Sequence, residues 1–235
     1  MKIAILSDIH GNTQALRQTL LVARKAGVQH LLVLGDLVGY YYDAAGVLSL
    51  LEPWPMHVIG GNHERMLGEA QESPEMAAQH RKKYGSALDV ALATLGKAQV
   101  EWLVKLPSRQ SVELDGVSFE LCHGSPDEQD RYVYPTASDE ELQRCRLPGR
   151  VVLMGHTHYP MVSVRPEGTL INAGSVGQAR DLGGFASWFL FDTATQVIIP
   201  YRTAYDTTAV AAEARARDPD LPYLAEILQR NCVPL

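Results

Sequence analysis

Lys2-Ile3-Ala4-Ile5-Leu6-Ser7-Asp8-Ile9-His10-Gly11-Asn12 is an apolar run that stops on a carboxylate and an imidazole two residues apart. A short run rich in Ile and Leu reads as a buried strand. A helix over about residues 12–26 follows it, with Asn12 or Thr13 as cap and Gly27 as stop. The same arrangement recurs along the chain. Residues 30–35 end on Asp36, 56–61 on Asn62-His63, 118–122 on His123, and 151–155 on His156-Thr157-His158. Ligands of open α/β sheets bind in the crevice beyond the carboxyl ends of strands. Strands that deliver carboxylate, imidazole and amide to one such edge make a polar pocket.

Between the first three runs lie the helix already noted and a second that starts at Asp43 and is stopped by Pro53. A β-α-β-α-β order predicts parallel strands with helical crossovers. Further on, Asp115-Gly116 between two alternating runs is a two-residue hairpin signal. Ser138-Asp139-Glu140-Glu141 starts a helix with a capping box. Residues 169–173, 187–192 and 196–200 read as strands. Residues 64–106 read as a helical or irregular cover, with short helices over 86–95 and 98–106, and 207–235 as a C-terminal helical tail. The expected architecture is α/β: a two-sheet α/β sandwich flanked by helices, in one domain spanning 1–235.

A hydrophobic content of 46% with 20% charged residues suits a chain that buries a full core. The first apolar run is too short for a secretory signal, and no stretch approaches the ~20 residues of a membrane span. Cys122, Cys145 and Cys232 are odd in number and lack CxxC spacing, which predicts reduced, incidental thiols and a cytoplasmic location. A net charge of −6 argues against a surface that tracks long nucleic acid. It does not exclude an anionic substrate, since bound cations dominate the local field of a pocket.

Asp8, His10, Asp36, Asn62, His123, His156 and His158 offer imidazole and oxygen donors without a thiolate, a set that suits Mn, Fe, Zn, Ni or Co. They outnumber the ligands of one tetrahedral ion. Two ions ~3.5–4 Å apart would use them all and clamp both oxygens of an in-line displacement.

These residues also carry a resemblance. Asp8-Ile9-His10-Gly11-Asn12, Gly35-Asp36, Gly61-Asn62-His63-Glu64, His123-Gly124 and Gly155-His156-Thr157-His158 resemble, in order, the signature of the calcineurin-like metallophosphoesterases. The likeness spans about residues 1–192. Gly35-Asp36-Leu37-Val38-Gly39-Tyr40 and the stretch from Ile171 to Gln178, with Arg180-Asp181, resemble the small bacterial and archaeal phosphodiesterase branch. The resemblance implies a hydrolase of phosphate esters with a binuclear centre, Mn favoured. Asp8, His10, Asp36 and His158 would hold one ion; Asp36, Asn62, His123 and His156 would hold the other. A metal-bridging hydroxide would attack phosphorus, and His63 would protonate or stabilise the leaving oxygen. A small phosphodiester or nucleotide is the implied substrate. The sequence departs from protein phosphatases and diadenosine tetraphosphatase-like relatives, which carry Asp-Arg where Gly39-Tyr40 stands here. It also departs from its own branch, in which Gly-Pro-Asp follows the tyrosine in place of Tyr41-Tyr42-Asp43.

Other readings stay open at this point. Phosphomonoesterase or protein-phosphatase-like activity, a nuclease, and a non-catalytic scaffold of the same fold are the competitors; His63 beside an intact donor set argues against the scaffold. Tyr40 to Tyr42 read either as an aromatic wall for a base or as loop packing. Arg180 is either a phosphate grip or the salt-bridge partner of an acid such as Asp181. Asn12 is a helix cap, a substrate-facing amide, or both. His30 and His57 precede their strands and so belong to the opposite edge, and His80 reads as solvated.

Overall fold

The computed structural model describes residues 1–231. Cys232 and the end of the expected tail lie outside the described residues. The chain begins β1 (Lys2–Leu6), α1 (Thr13–Lys25), β2 (His30–Val33), α2 (Ala44–Leu51), β3 (Met56–Val58), and the three strands are parallel. Asn12 and Asp43 cap the two crossover helices, accepting from the backbone N–H of Ala15 and Gly46. Side chains alternate in β1: Ile3 and Ile5 join one apolar cluster, while Ala4 and Leu6 join another with Leu16 and Leu20 of α1. A strand buried on both faces is the reason this run reads as continuously apolar.

The cover is helical throughout: α3 (Asn62–Glu72), α4 (Pro74–Tyr84), α5 (Ala87–Thr94) and α6 (Lys97–Val104). Its first half is hard to read because α4 has no fully buried residue. His80 is not solvated as expected. It is partly buried and bonds Glu69 at 2.8 Å.

The second half supplies β4 (Arg109–Leu114), β5 (Val117–Cys122), α7 (Asp139–Cys145), β6 (Val151–Met154), β7 (Pro160–Arg165), β8 (Gly168–Ala173), β9 (Phe185–Asp192) and β10 (Val197–Ala204). The β4–β5 turn is the Asp115-Gly116 pair, with both φ angles positive, at 49° and 74°, as a type I′ turn requires. Two five-stranded mixed sheets result, ordered β10-β9-β1-β2-β3 and β4-β5-β6-β8-β7. Ile3, Ile5, Leu32 and Leu34 from the first meet Phe119, Leu121, Leu153 and Ile171 from the second, with Phe189 and Phe191 of β9. The architecture is the α/β sandwich expected.

After β10 come α8 (Thr208–Arg217) and α9 (Tyr223–Glu226), which pack on residues 40–42 and Ala87. Cys122 and Cys145 are buried free thiols. No helix of the described residues is long and apolar enough to cross a membrane. The carboxyl ends of β1, β2, β3, β5 and β6 all deliver donors to one site, while His30 and His57 stack 5.1 Å apart at the opposite edge.

Candidate metal centre

Asp8, His10 and His158 bring one ligand atom each within a single cluster, and Asp36, His123 and His156 form a second. Asp8, His10 and His123 have no exposed surface at all. The backbone reaches this arrangement by a turn that L-residues resist. Asp8, His10, Asp36, His156 and His158 all have φ between 53° and 65°. The left-handed region costs a non-glycine residue roughly 1–3 kcal/mol, and it clusters at functional sites. Its effect here is to turn the chain sharply at the strand end, which brings Asp8 and His10 into one cluster and sends His156 and His158 to two different ones.

The imidazoles are aimed by backbone carbonyls. His10 Nδ1 lies 3.1 Å from the Val38 carbonyl, His123 Nδ1 2.7 Å from that of Leu34, and His158 Nδ1 2.7 Å from that of Gln178. Each ring nitrogen next to a carbonyl carries a proton, so His10 and His158 in their neutral forms present Nε2 lone pairs to the centre. His123, raised by Asp36, carries a proton on Nε2 as well, which a metal would displace. Two of these lone pairs, on His10 and His158, stand only 3.2 Å apart. His123 Nε2 faces Asn62 Oδ1 at 3.1 Å, His156 Nδ1 at 3.1 Å and Asp36 Oδ2 at 3.2 Å. Asp8 Oδ1 lies 3.2 Å from His158 Nε2 and has no hydrogen-bond donor among the described residues. Acceptors packed on acceptors without protons between them are repulsive, and cations between them remove the repulsion. The donor set therefore fits divalent metal.

Asp36 stands between the clusters. Its Oδ1 accepts the His63 backbone N–H at 2.9 Å, while Oδ2 lies 3.2 Å from His123 Nε2 and 3.7 Å from His10 Nε2. Glu64 is the residue that sequence reasoning left without a role. Its buried carboxylate accepts from the backbone N–H of Asp36, Leu37, Val38 and Gly61 at 2.7–3.3 Å, tying the end of β2 to the start of α3. The Ile171-to-Gln178 stretch is a second brace. Asn172 holds the Gly155 carbonyl and Thr157, and Ser175 Oγ and the Gly177 N–H both donate to the Asp8 carbonyl.

The model of the calcineurin-like phosphoesterase superfamily domain matches residues 1–196. The chain belongs to this superfamily. It is a phosphoesterase, a hydrolase of phosphate esters. It is 28% identical to the protein MJ0912 of Methanocaldococcus jannaschii over 87% of this chain and 88% of that one. A metallophosphoesterase from Sphaerobacter thermophilus superposes with a TM-score of 0.77 at 25% identity, covering 97% of this chain and 98% of that one. The protein PH1004 of Pyrococcus horikoshii OT3 superposes with a TM-score of 0.80 at 19% identity, covering the same shares.

In this phosphoesterase the electrostatics of the metal-free centre are uneven. Burial pushes His63 down to about 3, and His156 and His158 to about 4, with the neighbouring His123 and Arg180 charges adding to the last two respectively. Burial also works against His123 carrying charge, but the Asp36 carboxylate outweighs it and lifts the group to about 10. Asp8 and Asp36 are held below the usual carboxylate range: burial opposes this, and the imidazoles around them prevail.

His63 lies outside the two clusters above but forms a third with His10 and Asp36, and its Nδ1 is buried without a partner among the described residues. Its ring lies edge-on to His10 at 4.7 Å and against Tyr40 at 4.8 Å and Tyr84 at 5.3 Å. Gly39, at φ 86°, lets the chain pass directly beside it; a Cβ there would collide with the imidazole. Of the three tyrosines, only Tyr40 faces the centre. Tyr41 and Tyr42 turn away to bond the Leu224 carbonyl and Asp218 at 3.0 and 2.7 Å, so the loop-packing reading holds for these two. Arg180 is not the partner of Asp181, which pairs with Arg202. Its guanidinium approaches Tyr40 Oη at 3.4 Å, its Nε is buried without a partner, and no carboxylate pairs with it among the described residues. Asn12 is committed elsewhere: Oδ1 caps α1, and Nδ2 donates to the Gly177 carbonyl and Tyr205 Oη at 2.8 and 3.3 Å. With both ends of its amide engaged, Asn12 has nothing left for a substrate.

Proposed function

We propose that the phosphoesterase is a dimetal phosphodiesterase acting on a small phosphodiester or nucleotide. The observation that carries this reading is the set of buried carboxylate and imidazole donors converging on two adjacent positions. Around them stand tyrosines and Arg180, which has no carboxylate partner among the described residues. Asp8, His10, Asp36 and His158 would hold one ion, and Asp36, Asn62, His123 and His156 the other. The donor set of imidazoles and oxygens suits Mn, Fe, Zn, Ni or Co, and the family resemblance favours Mn among them. Bound there, such ions lower the pKa of water towards neutrality and neutralise charge that develops in an in-line displacement.

The protein's own groups supply the rest. Arg180 offers a planar donor fork to a non-bridging oxygen. Burial keeps His63 neutral at neutral pH, so it serves the leaving oxygen as an N–H donor. A diester carries one negative charge and two organic groups, and one guanidinium with aromatic neighbours suits it. A monoester dianion asks for a second cationic grip, and the place of the relatives' arginine is taken by Gly39-Tyr40. A monoesterase is therefore the second reading.

Manganese-reconstituted protein assayed on aryl diesters, aryl monoesters, cyclic nucleotides and dinucleotide polyphosphates tests the assignment. Diester turnover above monoester turnover is expected. The reverse order would hand the site to a phosphomonoesterase, and no turnover with both ions bound would favour a binding scaffold.

A further inference from the structure

One large aromatic side chain at the centre is unexplained by packing. Tyr132 stacks on the imidazole of His156, centroids 4.0 Å apart and planes 28° from parallel, yet 46% of it is exposed. Every proposed metal ligand beneath it is buried. The loop that carries it is fixed. Val133 beside it is buried, Arg65 bonds Asp130 at 2.7 Å, and the backbone N–H groups of Ser125 and Arg131 both donate to the Glu128 carbonyl. Tyr134 lies nearly parallel to it, 10° apart at 5.8 Å. The fold thus holds a half-exposed aromatic ring at the rim of a buried polar site.

The two ends of the centre differ. His63 groups with His10 and Asp36, and Tyr40 and Tyr84 lie against it. His156 groups with Asp36 and His123, and Tyr132 lies against it. In an in-line displacement the phosphorus carries a leaving oxygen, two non-bridging oxygens and one ester oxygen that is retained. With the leaving oxygen at His63 and a non-bridging oxygen within reach of Arg180, the retained ester group is directed to the His156 end. We propose that this retained group is aromatic, an aryl or nucleoside substituent, and that Tyr132 selects it by stacking. The proposal deepens the phosphodiesterase reading and rests on it.

The test uses full-length manganese-loaded protein and three diesters with one leaving group, p-nitrophenolate: the methyl, phenyl and thymidine 5′ esters, each rate normalised to its hydrolysis by hydroxide. The phenyl and thymidine esters are expected to exceed the methyl ester in kcat/KM by roughly 10-fold or more, the worth of one ring stack. Tyr132→Ala should pull that ratio towards one, chiefly through KM, and Tyr132→Phe, which keeps the ring, should preserve it. Metal content and thermal melting are measured on the same samples. A ratio near one in the parent protein, or one that Tyr132→Ala leaves unchanged, overturns the proposal. Parallel slowing of all three esters with loss of metal also overturns it, and leaves Tyr132 as a support for His156 alone. Cleavage of p-nitrophenyl phosphate with no diester turned over is a separate result: it removes the phosphodiesterase reading, and this proposal with it.

Discussion

The two halves of the metal centre are built to different standards. Around Asp8, His10 and His158, both imidazoles are locked by backbone carbonyls, and Asp8 is fixed by the His156 N–H at 3.0 Å and by two donors to its own carbonyl. Around Asn62, His123 and His156, only His123 is locked in that way. Asn62 begins a helix, and His156 turns Nδ1 inwards with no partner on Nε2 and an exposed ring on top. A ligand pre-aimed by the protein loses less freedom on binding than one the ion must arrest. The proposed two ions should therefore bind unequally, the first half more tightly than the second, and a calorimetric titration with Mn is expected to show two steps.

Asp36→Asn attacks both halves at once, because the charge between the clusters is removed. Turnover should vanish, and metal affinity should fall by more than the ~10–100-fold typical of losing an outer partner. Asp8→Asn should spare the second step of the titration. Equal damage to both steps in both variants would mean that Asp36 does not bridge.

His63→Ala tests whether the halves differ in chemistry as well as in rigidity. Both ions should remain, and turnover should drop ~10²–10⁴-fold, most for alkoxide leaving groups and least for nitrophenolate. A uniform loss that tracks metal content would make His63 structural. Smaller in effect is Glu64→Gln, which weakens four backbone bonds holding Asp36 and the Gly61-Asn62 start of α3. A ~10–100-fold loss of metal affinity is expected, concentrated in the second step; loss in the first step alone would refute this role for the brace.

Much of this comparison was legible in the residues and part was not. The strand ends, the caps at Asn12, Asp43 and Ser138 and the Asp115-Gly116 turn are local chemistry, and the structure follows them. β7 went unread because it is an edge strand that begins with Pro and has Val164 58% exposed, so no face alternates cleanly. At the site, donor types declare a metal by themselves. The roles of Glu64, Tyr84 and Tyr132 exist only once separate segments meet: Glu64 looks like any first-turn acid of a helix, and Tyr132 like any loop tyrosine. The one available signal was Glu64 within Gly61-Asn62-His63-Glu64, three residues after the glycine whose N–H it accepts, the spacing of a capping box.

The gentlest test is pH acting on metal-free protein. His63, His156 and His158 are depressed in the folded state, so folding keeps them neutral while the unfolded chain takes up protons below about 6.5. Stability is therefore lost as pH falls from about 6.5 towards 4. His123 is raised, so its contribution is complete below about 6.5 and fades as pH rises towards 10. Melting temperature should peak at about pH 7, where proton uptake by the three depressed groups on unfolding balances release from His123, and fall on both sides, more steeply on the acid side. Loading with Mn should flatten the alkaline limb, since binding expels the His123 proton. A metal-free profile flat from pH 5 to 9 would contradict these assignments.

The pairing of Lys2 with Asp192 sets a timetable for biosynthesis. Asp8 and His10 are synthesised well before the strand that flanks β1 on one side and before the Ser175–Gln178 brace behind Asp8. Until then the left-handed turns at Asp8 and His10 have their bonds to residues 35–38 but not the brace, and contacts as far apart in sequence as the brace form slowly. The nascent chain carries metal donors long before it carries a metal site. Any ion bound at this site is thus expected to be captured only after the Ser175–Gln178 brace has closed behind Asp8.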